Sequence, residues 1–293
     1  MKESRFAILG DGRIGRTLGR LMAAGGLRPG GISCLTLGSA RRATSFIGGG
    51  EATTSNARAA AGAALIVIST PDGAVAPLAR RLARTKIDWT GRIVAHTSGA
   101  LSSTALDPLA RRGAAVASWH PLASVADPPV AVRTFDGVPF AIEGDARAVR
   151  ALRRLVDSLG GRPITIPRRS KALYHLLACF LSNDLVALLE LGLVSAQGLG
   201  LSGREAARLY LPLVRGTLQN VERLGAVKAL TGPVSRGDVA TLRLHAEPLR
   251  SLPSEFRELH RLLAVRSTDL ARRAGTITPK AASRLARLLR SLP

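Results

Sequence analysis

The sequence has few cysteines and few aromatic residues. Cys34 and Cys179 are the two cysteines in 293 residues, and both stand in apolar surroundings. This argues against a disulfide-stabilised scaffold and against the paired-cysteine spacing of structural zinc sites. Aromatic residues make up 3% of the chain, so few platforms exist on which nucleic-acid bases could stack. The five histidines form no tight cluster with Cys or Glu, and we predict no metal site.

Acidic residues are also scarce: 20 aspartates and glutamates accompany 42 lysines and arginines, which gives a formal net charge of +22. All but five of the basic residues are arginines, and they are scattered through helical segments instead of being gathered in one run. We interpret them as a solvated surface that is compatible with a small anionic ligand, and we expect no specific nucleic acid as a partner.

Long hydrophobic runs are missing as well. The longest candidate, residues 176–194, is interrupted by Asn183, Asp184 and Glu190, and we expect a buried helix there rather than a membrane span. The N-terminal segment MKESRFAILG lacks the layout of a signal peptide. These features predict a cytoplasmic protein without a membrane partner.

The first half of the chain alternates between short apolar runs and helical patterns. This alternation predicts an α/β fold with a mostly parallel sheet that is covered by helices on both faces. Beyond Pro167 the patterns are helical. We therefore predict a first domain at residues 1–165 and an all-α second domain at residues 166–293. The predicted strands are residues 5–10, 32–38, 64–70, 92–99, 114–122, 138–145 and 162–167.

A glycine-rich segment, GDGRIG, follows the first predicted strand and precedes a helical pattern. In a dinucleotide-binding turn, Gly10 would permit the tight turn, Gly12 would let the backbone approach a pyrophosphate, and Gly15 would let helix and strand pack closely. The following helix N-terminus adds free N–H groups and a partial positive charge. We interpret the segment as a Rossmann-like dinucleotide site; the alternative is a structural turn. The predicted cofactor contacts here are Gly10, Asp11, Gly12, Arg13, Ile14 and Gly15, with Ser69, Thr70 and Pro71 at the end of a later strand.

The segment after the second predicted strand indicates which dinucleotide is bound. An NAD site usually offers an acidic residue there to hold the ribose hydroxyl, but none occurs between Asp11 and Glu51. A hydroxyl and two guanidinium groups suit a 2′-phosphate instead, which favours NADP. The alternative is that these arginines are ordinary surface residues. The predicted phosphate contacts are Gly38, Ser39, Arg41 and Arg42.

Two histidines lie where predicted strands end. His96 and Ser98 belong to HTSGAL, and His120 belongs to WHPLAS. Because the ends of parallel strands meet at one edge of a sheet, these side chains would reach the cofactor as proton donors or substrate ligands. The alternative for each histidine is a structural role with satisfied hydrogen bonds.

The first long helix of the second half carries a polar stripe. Lys171, His175, Cys179 and Asn183 recur every four residues, so they lie along one slowly drifting face. The stripe faces the cofactor cleft in one interpretation, with His175 or Lys171 as acid and Asn183 orienting the substrate. In the other interpretation, Lys171 is solvated at the helix start and the rest are satisfied in the core.

Together, GDGRIG, STPD, HTSGAL, WHPLAS, KALYHLLACFLSN and LTGPVSRGD resemble a largely uncharacterised bacterial family of Rossmann-like NADP-binding proteins with a helical domain of unknown function. These motifs span residues 6–238. The family is similar to 6-phosphogluconate dehydrogenase, ketopantoate reductase, pyrroline-5-carboxylate reductase and deazaflavin-dependent NADP reductase. The resemblance implies an NAD(P)-binding fold, a helical second domain like that of 6-phosphogluconate dehydrogenase, and a homodimer built through those helices.

One departure from the better-known relatives falls on the first long helix. Those enzymes often use a lysine and an asparagine four residues apart. In this chain His175 stands four residues after Lys171, and Asn183 comes two steps later. The lysine–asparagine pair of those enzymes is therefore not reproduced at the same spacing, and their mechanism does not transfer directly to this chain.

We therefore interpret the chain as an NADP(H)-dependent oxidoreductase that moves a hydride between the cofactor and a small, anionic carbonyl or imine compound in a cleft between the domains. His96 or His175 is the hypothetical proton donor, and Ser98, His120 and Asn183 would orient the substrate. The alternative is a non-catalytic NADP(H)-binding sensor or assembly protein, because a fold does not settle a function.

Overall fold

The computed structural model describes residues 4–292. The chain divides into two compact units, Met1–Ser182 and Asn183–Pro293. The division falls inside the long helix Lys171–Ser195, whereas the predicted boundary near residue 165 precedes this helix. The first turns of the helix belong to the first unit, where the side chain of Lys171 is buried.

The first unit is built on one eight-stranded sheet. Its strands are β1 (Arg5–Leu9), β2 (Arg28–Ser33), β3 (Glu51–Thr53), β4 (Leu65–Ile68), β5 (Ile93–His96), β6 (Ala115–Pro121), β7 (Pro139–Gly144) and β8 (Arg162–Thr165). The spatial order is β3-β2-β1-β4-β5-β6-β7-β8. Neighbouring strands run parallel except for β6 and β7. The predicted α/β fold with a mostly parallel sheet is confirmed, and the strand order reverses between β1 and β4, which is where ligands bind in such sheets.

Helices cover both faces of this sheet and bury two separate apolar cores. Because side chains alternate between the faces of a strand, the neighbours Ile8 and Leu9 on β1 lie in different cores. Trp119 belongs to the core of Ile8, and Trp89 belongs to the core of Leu9. The helices are α1 (Arg13–Ala24), α2 (Leu37–Ile47), α3 (Asn56–Ala61), α4 (Asp72–Ala83), α5 (Asp107–Ala110), α6 (Pro128–Arg133), α7 (Ala146–Ser158) and the beginning of α8 (Lys171–Ser195).

The second strand lies earlier in the chain than predicted. We expected a strand at residues 32–38, but β2 ends at Ser33, and Leu37 already begins α2. β2 contains Pro29, Gly30 and Gly31, residues that are depleted in strands and weaken the sequence signal. An added Cβ at Gly31 would overlap the backbone of α3, so this strand needs glycine for packing.

The second unit is helical throughout the part that the structure describes, which confirms the predicted all-α second domain. Its core joins Leu242, Ala271, Leu285 and Leu289. α9 begins with a capping box in which the Ser202 and Glu205 side chains reciprocally bind backbone N–H groups. The helices that follow α8 are α9 (Gly203–Leu224), α10 (Ala226–Ala229), α11 (Pro233–Arg236), α12 (Val239–Leu244), α13 (Ala246–Ser251), α14 (Ser254–Arg273) and α15 (Pro279–Ser291).

Helix α8 is not the buried helix that we expected for residues 176–194. Leu176, Phe180, Leu181 and Val186 are each at least 60% exposed. Among the described residues, the stretch Arg168–Leu199 is the one helical stretch whose length and composition would allow it to cross a membrane, with a hydropathy of 1.8. The prediction is wrong because an apolar composition indicates that a helix face needs a partner, not that this partner lies within the same chain.

Candidate functional site

A cleft of about 830 Å³ opens at the carboxyl edge of the sheet, within the first unit. It extends from the ends of β1, β2 and β4 to those of β5 and β6. Its wall includes the loop Gly10–Ile14, Cys34 and Leu35 after β2, Thr97 after β5, and His120 on β6. The cleft therefore lies across the point where the strand order reverses, as expected for a nucleotide site in this fold.

The glycine loop is shaped by its contact with Ser69 at the end of β4. Gly10 has a φ of +114°, and an added Cβ would overlap the Ser69 carbonyl oxygen. A Cβ on Gly15 would lie 2.7 Å from the Ser69 Cβ. Gly12 is the N-cap of α1, with no side-chain cap, so the first N–H groups of this helix are free for a ligand. The steric roles predicted for Gly10 and Gly15 agree with this geometry.

The other residues predicted for the first loop also line the cleft. Asp11, Arg13 and Ile14 are wall residues, and so are Ser69, Thr70 and Pro71. Buried polar atoms normally have hydrogen-bond partners. Within the described residues, however, the Thr70 hydroxyl and Arg16 Nε are buried without one. Thr70 lines the cleft, where a polar ligand would supply the partner, and Arg16 belongs to α1, the helix that follows the glycine loop.

The segment after β2 combines hydroxyl groups with arginines at the start of α2. Thr36 caps this helix by accepting a hydrogen bond from Ser39 N at 3.1 Å, and Arg42 Nη2 donates to Ser39 Oγ at 2.9 Å. Arg16 and Arg42 are close enough to Cys34 to lower the pKa of its thiol, although burial and then Asp11 raise that pKa to about 11.

The predicted 2′-phosphate residues are adjacent to the cleft but do not form its wall. Leu35, which is 97% exposed, is the last wall residue before α2. Gly38, Ser39, Arg41 and Arg42 follow in the first turns of the helix, and Gly38 and both arginines are exposed. The phosphate-binding role of these four residues stays a prediction.

His96 is a structural histidine in this arrangement. It is fully buried on β5, its Nδ1 accepts a hydrogen bond from Ser98 N at 3.2 Å, and its Nε2 lies 3.1 Å from Ser102 O. The tautomer that satisfies both contacts carries its proton on Nε2 and donates to Ser102 O. Burial lowers the pKa of His96. Since both ring nitrogens bind the backbone, the geometry does not support His96 as a proton donor.

Ser98 holds the turn after β5 together. Its hydroxyl oxygen accepts hydrogen bonds from Ala100 N at 3.2 Å and Leu101 N at 2.9 Å. Its carbonyl oxygen accepts from Lys171 Nζ at 2.9 Å and from Ser118 Oγ at 3.3 Å. The side chain predicted to orient a substrate is thus engaged with the backbone.

His120 is the predicted histidine that reaches the cleft. It lies near the end of β6, and its Nδ1 is 2.8 Å from the hydroxyl oxygen of Tyr174 on α8. The two rings meet edge to face at 5.6 Å. Burial, followed by the charge of Lys171, lowers the pKa of His120 to about 4. The imidazole is therefore neutral at pH 7.

The beginning of α8 brings Lys171 and His175 to the same region. Lys171 is 2% exposed, so the solvated helix start that we considered for it is wrong. Burial lowers the pKa of Lys171 to about 8, against the opposing effect of Glu143 and Asp72. The His175 ring lies 6.2 Å from the His120 ring, and Cys179 Sγ is 3.8 Å from His175.

Asn183 falls in a different compact unit from the other predicted catalytic residues. It is exposed and belongs to the second unit, whereas His96, Ser98, His120 and His175 belong to the first. Its role in orienting a substrate stays a prediction. No group of three or more metal-ligating side chains occurs within residues 4–292.

Tyr174 and Glu143 were missed at the sequence level. Tyr174 lies within the segment KALYHLLACFLSN but outside the four-residue spacing that selected Lys171 and His175. Glu143 is 3% exposed and accepts hydrogen bonds from the Ser103 backbone N–H and hydroxyl group. An acidic residue inside a strand otherwise made of apolar residues was the available signal for Glu143.

Comparison with known proteins divides the chain into two parts. Residues 2–121 match the family model of a Rossmann-like domain, and residues 138–267 match that of a domain of unknown function, DUF2520. The two matches follow one another along the chain without overlapping. The DUF2520 match begins with the last two strands of the sheet and continues into the helical unit. No curated protein matches the sequence.

Solved structures share the fold along almost the whole chain. A Bacteroides fragilis protein named as an NADP oxidoreductase is 21% identical, with a TM-score of 0.72 over 92% of this chain and 98% of its own. A reductive aminase from Aspergillus terreus, solved with NADPH and ethyl-5-oxohexanoate, is 15% identical, with a TM-score of 0.62 over 98% and 93%. A pyrroline-5-carboxylate reductase from Coxiella burnetii is 14% identical, with a TM-score of 0.58 over 100% and 99%. The predicted resemblance to NADP-dependent reductases is confirmed at the level of the fold.

Proposed function

We propose that the chain is an NADP(H)-dependent oxidoreductase that acts on a small carbonyl or imine compound. The observation that carries this proposal is the single cleft that joins the glycine loop to His120. One part of the cleft offers a free helix N-terminus to a diphosphate, and another offers a polar side chain to a reacting group. The folds of the NADP-dependent neighbours support the same reading.

The residues of the chain fit NADP at several points. The N-terminus of α1 would bind the diphosphate, because its N-cap Gly12 supplies no side-chain cap for the first N–H groups. Thr70 Oγ and Arg16 Nε lack protein partners, and the Ser39–Arg42 pair is held ready for a phosphate by its hydrogen bond. When bound, NADPH supplies a hydride from its nicotinamide ring, and the protein positions and polarises the substrate.

The site favours an anionic substrate through its positive groups. Burial, followed by the positive charge of the nearby Lys171, lowers the pKa of His120. The cleft wall itself carries the cations Arg13 and Arg81 and the carboxylate Asp11. Glu143 and Asp72 partly offset the Lys171 charge, so we expect a single carboxylate on the substrate rather than a highly charged compound.

The cofactor is tested by titrating the full chain with NADPH and, separately, with NADH. We expect NADPH to bind more tightly. Arg42→Ala is expected to weaken NADPH binding roughly tenfold to a hundredfold, since a hydrogen bond to a charged group contributes about 1.5–3 kcal/mol. Arg80→Ala, an exposed arginine of α4 outside the cleft wall, is the matched control. Tighter binding of NADH would contradict the proposed recognition of a 2′-phosphate. Binding of neither cofactor at millimolar concentration would contradict the proposed oxidoreductase function.

Turnover is tested by following NADPH absorbance with a panel of small keto acids and imines. Oxidation of NADPH that depends on one compound class supports the proposed reaction and names the class. Binding without turnover across the panel would contradict the enzymatic proposal and leave a non-catalytic NADP(H)-binding protein.

We also propose that the chain works as a homodimer through α8 and α9. Leu181 on α8 and Leu213 on α9 are 70% and 68% exposed, and apolar surface of this extent usually has a partner. Asp184 and Glu190 interrupt the apolar sequence of α8. Because ionised groups are costly within a bilayer, these two residues favour a protein partner over a membrane. A second copy of the chain would cover the leucines and leave these carboxylates at a solvated rim.

A further inference from the structure

His120 has one hydrogen-bonded nitrogen and one free nitrogen. Its Nδ1 lies 2.8 Å from the Tyr174 hydroxyl, and within the described residues its Nε2 has no hydrogen-bond partner. Gly99 lies beside that free nitrogen, since an added Cβ would be 3.0 Å from His120 Nε2 and would also overlap His175. The absence of a side chain at Gly99 lets the Nε2 edge of His120 and the His175 ring lie against the backbone there.

The chemistry of the pair decides which partner donates. A phenol has an ordinary pKa near 10, and a neutral imidazole nitrogen is a better base than a phenol oxygen. The favoured arrangement is therefore Tyr174 O–H donating to His120 Nδ1. The ammonium group of Lys171 lies 5.4 Å from the centre of the Tyr174 ring. Burial raises the pKa of Tyr174 to about 12, so its hydroxyl keeps its proton at pH 7.

A neutral imidazole that accepts at Nδ1 carries its proton on Nε2. Burial keeps His120 neutral, and the charge of Lys171 on α8 acts in the same direction; the rings of His175 on α8 and His96 on β5 are also close to it. Glu143 on β7 and Asp72 on α4 interact with Lys171. The result is an uncharged N–H donor on the wall of the cleft.

We propose that Tyr174 is a positioning residue that holds His120 as a neutral imidazole with its Nε2–H directed to the substrate. His120 then donates a hydrogen bond to the carbonyl oxygen or imine nitrogen while hydride adds to the neighbouring carbon. The bond stabilises the negative charge that develops on that atom. No proton leaves His120, and the product takes its proton from water. This inference rests on the proposed oxidoreductase function.

The first experiment needs no turnover. Nitrogen NMR of the ¹⁵N-histidine-labelled full chain between pH 6 and 8 reports which ring nitrogen of His120 carries the proton, with His120→Gln used to assign its signals. We expect Nε2 to be protonated and Nδ1 to be unprotonated across this range. A proton on Nδ1, or a charged ring at pH 7, would overturn the inference whether or not NADPH binds.

The second experiment compares Tyr174→Phe with Tyr210→Phe, which removes the other tyrosine hydroxyl of the chain, on α9 in the second unit. With the substrate found in the panel, we expect Tyr174→Phe to lower kcat roughly tenfold or more, because the imidazole loses its fixed tautomer. The NADPH affinity of both variants should stay within about twofold of that of the parent chain. The kcat of Tyr210→Phe should also stay within about twofold of the parent value. A Tyr174→Phe variant with unchanged kcat and an unchanged His120 tautomer contradicts the positioning role. If this variant does not fold, the NMR of the parent chain decides.

Discussion

Gly10 shows how one residue couples the fold to the cleft. Its φ of +114° and its closeness to the Ser69 carbonyl leave no space for a Cβ. We expect Gly10→Ala to lower the free energy of unfolding by about 2–4 kcal/mol, through backbone strain and overlap, and to abolish NADPH binding. Chemical denaturation and cofactor titration measure the two effects.

Gly73, in the first turn of α4, provides the control for Gly10. An added Cβ there would meet nothing within 4 Å. Gly73→Ala should be neutral or stabilise the chain by up to about 1 kcal/mol, because alanine favours helix. Equal effects of the two substitutions would show that the Ser69 contact does not govern the turn.

The histidines mark the limit of what single residues reveal in a sequence. Strand-end positions correctly predicted that His96 and His120 lie at the same edge of the sheet. They could not distinguish them, because the distinction depends on hydrogen bonds to Ser102 and Tyr174, which follow from turn geometry and from the packing of α8. The glycine loop was predictable because its spacing encodes a local backbone shape.

At the scale of elements, hydrophobic periodicity predicted seven of the eight strands, since buried parallel strands are short apolar runs. It misplaced β2 and missed β3. Gly31 stands in β2 because α3 packs directly on the strand backbone, and a pattern of apolar residues contains no such signal. Similarly, the apolar sequence of α8 indicated burial but could not indicate what buries it.

The exposed leucines of α8 and of α9 lead to a prediction about association. We expect the chain to be a dimer by light scattering at micromolar concentration. Leu181→Glu and Leu213→Glu should each shift it toward the monomer, because a carboxylate at a buried contact loses its hydration. Leu244→Glu on α12, at a leucine that is 74% exposed, should leave the dimer intact. A monomeric parent chain would contradict the proposal. If that monomer then sedimented with anionic lipid vesicles, a membrane would be identified as what covers the exposed leucines.

For the whole molecule, the excess of positive charge and the buried histidines both lower the stability of the fold in acid. The chain carries a net charge of +22 at pH 7, so protonation of carboxylates in acid increases a repulsion that already exists. His96 and His120 are buried in neutral form with lowered pKa values. Acid therefore charges groups that the fold holds uncharged.

The contribution of His120 to the acid response has a definite sign and range. Its folded pKa of about 4 lies below the ordinary histidine value of 6.5, so the unfolded chain binds more protons between these values. The free energy of unfolding therefore rises from pH 4 to 6.5 and levels off above, with a contribution of up to about 3 kcal/mol at 1.36 kcal/mol per unit. We expect urea unfolding at pH 4.5 and 7 to show a larger difference for the parent chain than for His120→Gln. Lys171, with a folded pKa of about 8 against 10.5, should add stability from pH 8 to 10.5 in both proteins. Equal acid responses of the two proteins would mean that His120 is not held neutral by the fold.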